Sequence, residues 1–220
     1  MMTKVLIVDD HPAAREGLAV RIANQADMEV CAEAADLAEA MMLLDELRPD
    51  VVIVDIQLKR SDGLELVRRI KAHDDSVGIL VWSVYPDRVY AERALNAGAL
   101  GYINKEHTTG RIVDAIRLIR AGKIYLSEEM EQRLLSQAVG GHRDLRQSPI
   151  ETLSDRELEV FRHIGNGQTT SEIASQLHIS PHTVETHRQR IKEKLRVESA
   201  AELTQAAIRW TLQGNADVGG

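Results

Sequence analysis

Five polar side chains in the first half of the chain are of types that together can do phosphorus chemistry. Asp9 and Asp10 follow the apolar run Val5 to Val8, and Asp55 closes the run Val51 to Val54. Ser83 ends the run Gly78 to Trp82, and Lys105 lies just beyond the run Leu100 to Ile103. Clustered carboxylates repel one another and stay ionised together only when a cation neutralises them. Carboxylate oxygens suit Mg2+, which takes one or two of them and keeps several waters for a phosphate-bearing partner. Lys105 offers a point charge for a phosphoryl oxygen, and Ser83 offers a hydroxyl donor. An aspartate beside such a cation and a lysine can act as a nucleophile toward phosphorus and form an aspartyl phosphate. Any one of these acids alone could be a loop residue or a helix cap, so the elements that hold them must decide.

Those elements alternate. The apolar runs at Val5–Val8, Met28–Ala34, Val51–Val54, Gly78–Trp82 and Leu100–Ile103 read as strands. Val51 to Val54 is apolar at every position, the mark of a strand covered on both faces. Between and after the strands run helices. One starts at Pro12, with Leu18, Ala19 and Ile22 on a common face. The next is capped by Asp36, with Leu37, Met41, Leu44 and Leu47 as its stripe. Others carry Leu64, Val67 and Ile70, run from Pro86 to Ala97, and run from Thr108 or Thr109 through Ile112, Ile116 and Ile119 to Gly122. Strict alternation of strand and helix implies a parallel sheet with helices on both faces. Right-handed crossovers put every strand's C-terminal end on one edge, where ligands bind in open sheets of this kind. Asp9, Asp10, Asp55, Ser83 and Lys105 therefore converge although none but the first two are neighbours in sequence.

From Lys123 to Pro149 the pattern loosens into a linker with one short amphipathic helix through Leu126, Met130, Leu134 and Leu135, followed by the flexible stretch 140–144. Then the signals change. Ser154…Glu157, Thr169…Glu172 and Ser199…Glu202 are three capping boxes, and Ser180-Pro181 is an N-cap with proline at the first helical position. Four helices and no strand predict a small all-α domain over 150–212, with 213–220 as a disordered tail. Ile173, Ala174 and Leu177 form the stripe of one short helix; Thr183, Val184, His187, Ile191 and Leu195 run along the next. That spacing is of the helix-turn-helix kind, whose second helix can enter a major groove. Arg188, Arg190, Lys192, Lys194 and Arg196 outnumber Glu185 and Glu193 there, a local cationic surplus of the sort phosphate contact needs.

The whole chain of 220 residues carries a formal charge of −7, which argues against indiscriminate nucleic-acid binding but not against a local basic face. Its single cysteine, Cys31, excludes an intramolecular disulfide and fits a reducing, cytoplasmic setting. No apolar run approaches the ~20 residues needed to span a bilayer, so no membrane partner is expected.

Val8-Asp9-Asp10, Asp55 followed by Asp62-Gly63, Ser83, and the stretch from Gly101-Tyr102 to Asn104-Lys105 resemble the receiver domain of bacterial two-component response regulators, over residues 3–122. Leu153 to Glu157, Gly167, Glu172 to Ala174, Leu177, Ile179-Ser180, Thr183-Val184, His187, Ile191, Lys194-Leu195 and Val197 resemble the LuxR-type DNA-binding domain of the NarL/FixJ family, over 150–212. The resemblance implies an α/β, five-stranded parallel, doubly wound, flavodoxin-like receiver at 1–122, then the linker at 123–149 and the helix-turn-helix domain. It further implies that Asp55 is phosphorylated by a cognate sensor histidine kinase, and that Asp10, Asp55 and the backbone carbonyl of Gln57 bind Mg2+, with Asp9 acting through water. Ser83 and Tyr102 would be the switch residues that move inward, and Lys105 would pair with the acyl phosphate. Thr183, His187, Arg190 and Lys194 would touch the DNA backbone, and Glu185, Thr186 and Gln189, beside Arg188, would face base edges. Glu185 stands where the family often has lysine; it could accept from a cytosine amino group or orient a neighbouring arginine. Leu58-Lys59, Val84 and Glu106 depart from the receiver pattern around the phosphorylated residue. The helix after Ser199, with Ala200, Leu203, Ala207 and Leu212 on one stripe, resembles the family's dimerisation helix, so a homodimer when phosphorylated, double-stranded DNA and RNA polymerase are the implied partners. Two rivals stand beside this reading: a transcription factor that works without phosphorylation, and a Mg2+-dependent phosphohydrolase. In the main reading the only catalysis is self-phosphorylation from a phosphodonor and self-dephosphorylation.

Overall fold

A computed structural model of the chain describes residues 2–58, 61–107, 110–138 and 148–216. The chain divides into two compact units, 1–135 and 136–220. The first unit runs β1 (Thr3–Val8), α1 (Pro12–Ala23), β2 (Met28–Ala34), α2 (Leu37–Leu47), β3 (Val51–Val54), β4 (Gln57–Leu58), β5 (Ser61–Asp62), α3 (Gly63–His73), β6 (Gly78–Ser83), α4 (Asp87–Ala97), β7 (Gly101–Asn104), α5 (Arg111–Arg120) and α6 (Glu128–Ala138). Five strands pair in parallel in the order β2-β1-β3-β6-β7. The order reverses between β1 and β3, so the ends of those two strands border the crevice where doubly wound sheets bind ligands.

The centre of the sheet is buried on both faces, as its apolar strands require. Every residue of β3 and β6 is buried. Val5, Ile7, Val51, Ile53, Leu80 and Trp82 pack on one face against Leu18 and Ile22 of α1 and Ile112, Ile116 and Ile119 of α5. Helix starts follow the capping chemistry in the sequence. Asp36 accepts the amide of Glu39, and Asp62 accepts that of Leu64. Helix α5 begins at Arg111 after Gly110 in a left-handed conformation; Thr108 and Thr109, and with them the expected start, lie outside the described residues. So does Lys59. The polar loop expected between Gln57 and Asp62 holds a two-stranded antiparallel ribbon, β4 with β5.

The chain past Gly122 stays with the first unit. Tyr125 bridges to Gly101, and its carbonyl accepts the amide of Tyr102. Leu126 and Met130 are buried, whereas Leu135 is exposed. The expected flexible stretch 140–144 lies outside the described residues.

The second unit holds a short 3-10 turn (Pro149–Thr152), α7 (Asp155–Gly165), α8 (Thr170–Gln176), α9 (Pro181–Leu195) and α10 (Ala200–Ala216). Reciprocal capping boxes start α7 at Ser154 and α8 at Thr169, and Ser180 caps α9 with Pro181 at its first position. At Ser199 the box is altered: its hydroxyl accepts the Glu202 amide, but the Glu202 carboxylate accepts the amide of Glu198. Helix α10 continues past Leu212 to Ala216, which corrects the expected tail at 213; residues 217–220 lie outside the described residues. Its buried stripe is Leu203, Ala207, Trp210 and Thr211, while Leu212, expected on that stripe, is 57% exposed. The spacing 203, 207, 210, 211 follows the 3.6-residue period; residue 212 falls about 100° further round. No described helix is long and apolar enough to cross a membrane.

Candidate functional site

The acidic edge is assembled from four strand ends. Asp9 and Asp10 follow β1, Asp55 follows β3, Ser83 ends β6, and Lys105 follows β7. Asp9, Asp10, Asp55 and Ser83 are all buried. The Asp55 amide donates to the carbonyl of Val8 at 2.8 Å, locking the β3 end against the β1 end. Gly63, the first residue of α3, passes so close behind Asp55 that a Cβ there would collide with the Asp55 carbonyl oxygen. The local backbone therefore demands glycine at 63 for a steric reason, independent of its φ.

Lys105 Nζ lies 2.6 Å from Asp9 Oδ2 and 3.0 Å from Asp55 Oδ2, so one ammonium bridges two carboxylates. It also stands 4.8 Å from the centre of the Trp82 ring. Burial pushes the Asp55 carboxyl above the usual carboxylate range; Lys105 opposes that push and the charge of Asp9 adds to it. Burial disfavours the Lys105 ammonium, yet Asp55 and Asp9 outweigh it and raise its pKa. Three carboxylates against one ammonium leave net negative charge in a desolvated place. Carboxylate oxygens of Asp9, Asp10 and Asp55, with the exposed His11 imidazole, offer ligand atoms all within 4.8 Å of one another. Asp55 Oδ1 is buried and meets no hydrogen-bond donor among the described residues. A buried, unsatisfied carboxylate oxygen facing other carboxylates is what a cation-binding pocket presents. The donors are mostly hard oxygens, which fits Mg2+.

Ser83 Oγ is buried and makes no hydrogen bond of ordinary geometry. The Tyr102 ring, expected to move inward, is buried here, and its hydroxyl donates to the Tyr85 carbonyl at 2.7 Å. The Asn104 amide reaches the same carbonyl at 3.1 Å. Tyr85 in turn donates its own hydroxyl to Gln57 Oε1 at 2.8 Å. Tyr85, Trp82 and His11 were not singled out in the sequence, and Asn104 entered only as part of the stretch ending at Lys105. Each adjoins a residue that was, but only the fold shows what each touches.

In the second unit, α9 lies against both α7 and α8. Val184 and Ile191 are buried, while Glu185, Thr186, Gln189 and Arg190 are exposed and Thr183, His187 and Arg188 lie between. Lys194 is turned to its own domain: Nζ meets Glu157 Oε2 at 2.6 Å and the Thr152 carbonyl at 3.0 Å. Burial raises the pKa of Glu157, but the bonds from Lys194 and the Ser154 amide prevail and lower it overall. Burial, Arg156 and Arg190 lower the pKa of His187.

With both sites described, comparison with known proteins is decisive. The family model for the response regulator receiver domain matches residues 5–117, and that for bacterial regulatory proteins of the luxR family matches 151–207. The chain belongs to the two-component response regulators. Response regulator GacA of Pseudomonas protegens is 34% identical over 208 residues, covering 94% of this chain and 96% of that protein. The transcriptional regulatory protein LiaR of Bacillus subtilis is 36% identical over 209 residues, with the same coverage. Among solved structures, RcsB of Salmonella enterica serovar Typhimurium, bound to the rprA promoter in the presence of the phosphomimetic BeF3-, aligns with a TM-score of 0.72 at 25% identity, covering 93% of this chain and 98% of that one. This response regulator thus pairs a receiver with a LuxR-type DNA-binding domain, and the NarL/FixJ resemblance read from its motifs holds across both units.

Proposed function

We propose that Asp55 is the phosphoacceptor of this response regulator and that its phosphorylation controls DNA binding. The observation that carries the reading is the Asp55 carboxylate: buried at the switch point of the sheet, with Oδ2 on Lys105 and Oδ1 unsatisfied. An Asp55 oxygen forms a bond to phosphorus as the donor's P–N bond, in a kinase phosphohistidine, or P–O bond, in acetyl phosphate, breaks and the leaving group departs with the electron pair. Lys105, already within reach of Asp55, then pairs with a phosphoryl oxygen. The Ser83 hydroxyl, which has no fixed partner, turns to donate to another. Asp10, Asp55 and the Gln57 carbonyl would hold Mg2+, with Asp9 acting through water; the ion would neutralise the charge that gathers on the phosphoryl oxygens.

Ser83 and Tyr102 report the state of Asp55 to the face around β7. Because Tyr102 already occupies a buried position, phosphorylation needs only to shift an existing equilibrium. The receiver spans 1–122, the connecting segment 123–149 transmits the change, and 150–212 binds double-stranded DNA as a homodimer through the exposed flank of α10, where Ile208 and Leu212 are uncovered. The cognate kinase and RNA polymerase are the remaining partners. Catalysis is confined to the chain's own phosphorylation and dephosphorylation.

Asp55→Asn is the test. Acetyl phosphate with Mg2+ should make the wild type dimerise, seen by light scattering, and should tighten its grip on operator DNA; the variant should do neither. A variant that responds as fully as wild type would remove Asp55 from the mechanism.

A further inference from the structure

Glu185 is an acid on the face of α9 that carries the DNA contacts, and the structure holds it in an unusual way. Its Oε1 accepts the hydroxyl of Thr170, the first residue of α8, at 2.7 Å. The same oxygen lies 3.7 Å from Arg188 Nε, one turn further along α9. Among the described residues nothing donates to Oε2. The Glu185 side chain is 58% exposed, whereas that of Arg188 is only 16% exposed. Arg188 is therefore poorly placed to read a base, and the more exposed of the pair is Glu185. The other two residues expected to face base edges differ. Thr186 donates to the His182 carbonyl and Gln189 to Glu193, each one turn away within α9. Such bonds along one helix are weak and leave the side chains easily re-aimed. Of Glu185, Thr186 and Gln189, only Glu185 is pinned from a neighbouring helix.

We propose that Thr170, with Arg188, positions Glu185 to read a cytosine in the major groove; the proposal rests on the reading of α9 as the groove helix. A carboxylate oxygen fixed in the groove can only accept. Guanine presents N7 and O6 there and thymine presents O4, all acceptors that repel it. Adenine offers its N6 amino group, but N7 lies beside it; cytosine offers its N4 amino group without that neighbour. Pinning Oε1 fixes the rotamer before DNA arrives, so less side-chain freedom is lost on binding. Thr170 is thus a positioning residue for specificity, acting through Glu185.

The test is selection of duplexes from a randomised library by the full-length protein with Mg2+ and beryllofluoride, followed by sequencing, for wild type, Thr170→Val, Thr170→Ser and Glu185→Gln. Wild type should enrich cytosine at one position of each half-site by about tenfold over the other bases. Thr170→Val, equal in volume but without the hydroxyl, should cut that preference to about threefold at that position alone, leaving the other positions and the affinity for random-sequence DNA unchanged. Thr170→Ser should restore it. Glu185→Gln should exchange cytosine for adenine, which suits a carboxamide. The proposal is overturned if Thr170→Val matches wild type, or weakens every position alike as a folding defect would. If instead Glu185→Gln leaves every base preference intact, residue 185 faces no base, and the placement of α9 fails with the proposal.

Discussion

Tyr85 ties Tyr102 and Asn104 to the segment that follows Asp55. Its carbonyl receives both the Tyr102 hydroxyl and the Asn104 amide, and its hydroxyl holds the side chain of Gln57, two residues beyond Asp55. The ring also lies 5.0 Å from that of Tyr90. Tyr85→Phe keeps the ring and the carbonyl and removes one hydrogen bond. It should leave the fold intact, free Gln57, and open the approach to Asp55, so that the acyl phosphate is lost several-fold faster. Decay of labelled phosphoryl protein in the presence of Mg2+ measures this; an unchanged half-life would mean that the bond does not gate water. Leu58-Lys59, Val84 and Glu106 drew attention in the sequence because they depart from the receiver pattern. Tyr85 did not, since its effect depends on where its carbonyl and hydroxyl point, which no spacing encodes.

Helices α7 and α10 meet more closely than ordinary side chains allow. Gly165, the last residue of α7, has the backbone of Ala207 so near that a Cβ would sit 2.6 Å from its carbonyl oxygen and would collide with Thr211 Oγ1. Gly165→Ala should therefore push α10 outward and destabilise the second unit by about 1–3 kcal/mol, although alanine is the better helix former. Thermal unfolding of the full chain reads the effect as a lower transition for that unit. At this scale much was legible beforehand. Strand β3 is apolar throughout and β6 nearly so, and the boxes at Ser154 and Thr169 mark helix starts by a local exchange of hydrogen bonds that needs no tertiary partner. What escaped were features set by packing. The β4–β5 ribbon has too few residues to show a period, and the docking of Tyr125 beside β7 joins residues distant in sequence. The α10 stripe was misjudged because Trp210 and Thr211, one apolar and one not, share its buried side with Leu203.

At the scale of the whole molecule, two units imply two unfolding transitions, and they should differ in their response to acid. His163 in α7 is buried and neutral: burial and the nearby Arg162 lower its pKa from 6.5 to about 4, against the bond to Gln168. In the unfolded chain the imidazole regains its ordinary value. Between about pH 6.5 and 4 the unfolded state takes up a proton that the folded state refuses, so stability is full above this window and falls as pH drops through it. Complete passage corresponds to about 3 kcal/mol. The transition of the second unit should slide to lower temperature over that range, and His163→Gln should flatten the slide; an equal slope in both proteins would show that other groups govern it.

The charge of the chain is also divided unevenly. Residues 1–135 hold 17 Lys and Arg against 23 Asp and Glu, and residues 136–220 hold 10 against 11. On α9, Lys194 is already paired with Glu157 and Arg188 stands by Glu185. That leaves Arg190, Lys192 and Arg196 of this stretch to displace condensed counterions from a duplex, so affinity should fall with a shallow salt slope of about three. Such a regulator should hold random chromosomal sequence weakly. It would find its operators by repeated free diffusion, with little sliding, and its residence on them would follow the supply of paired subunits.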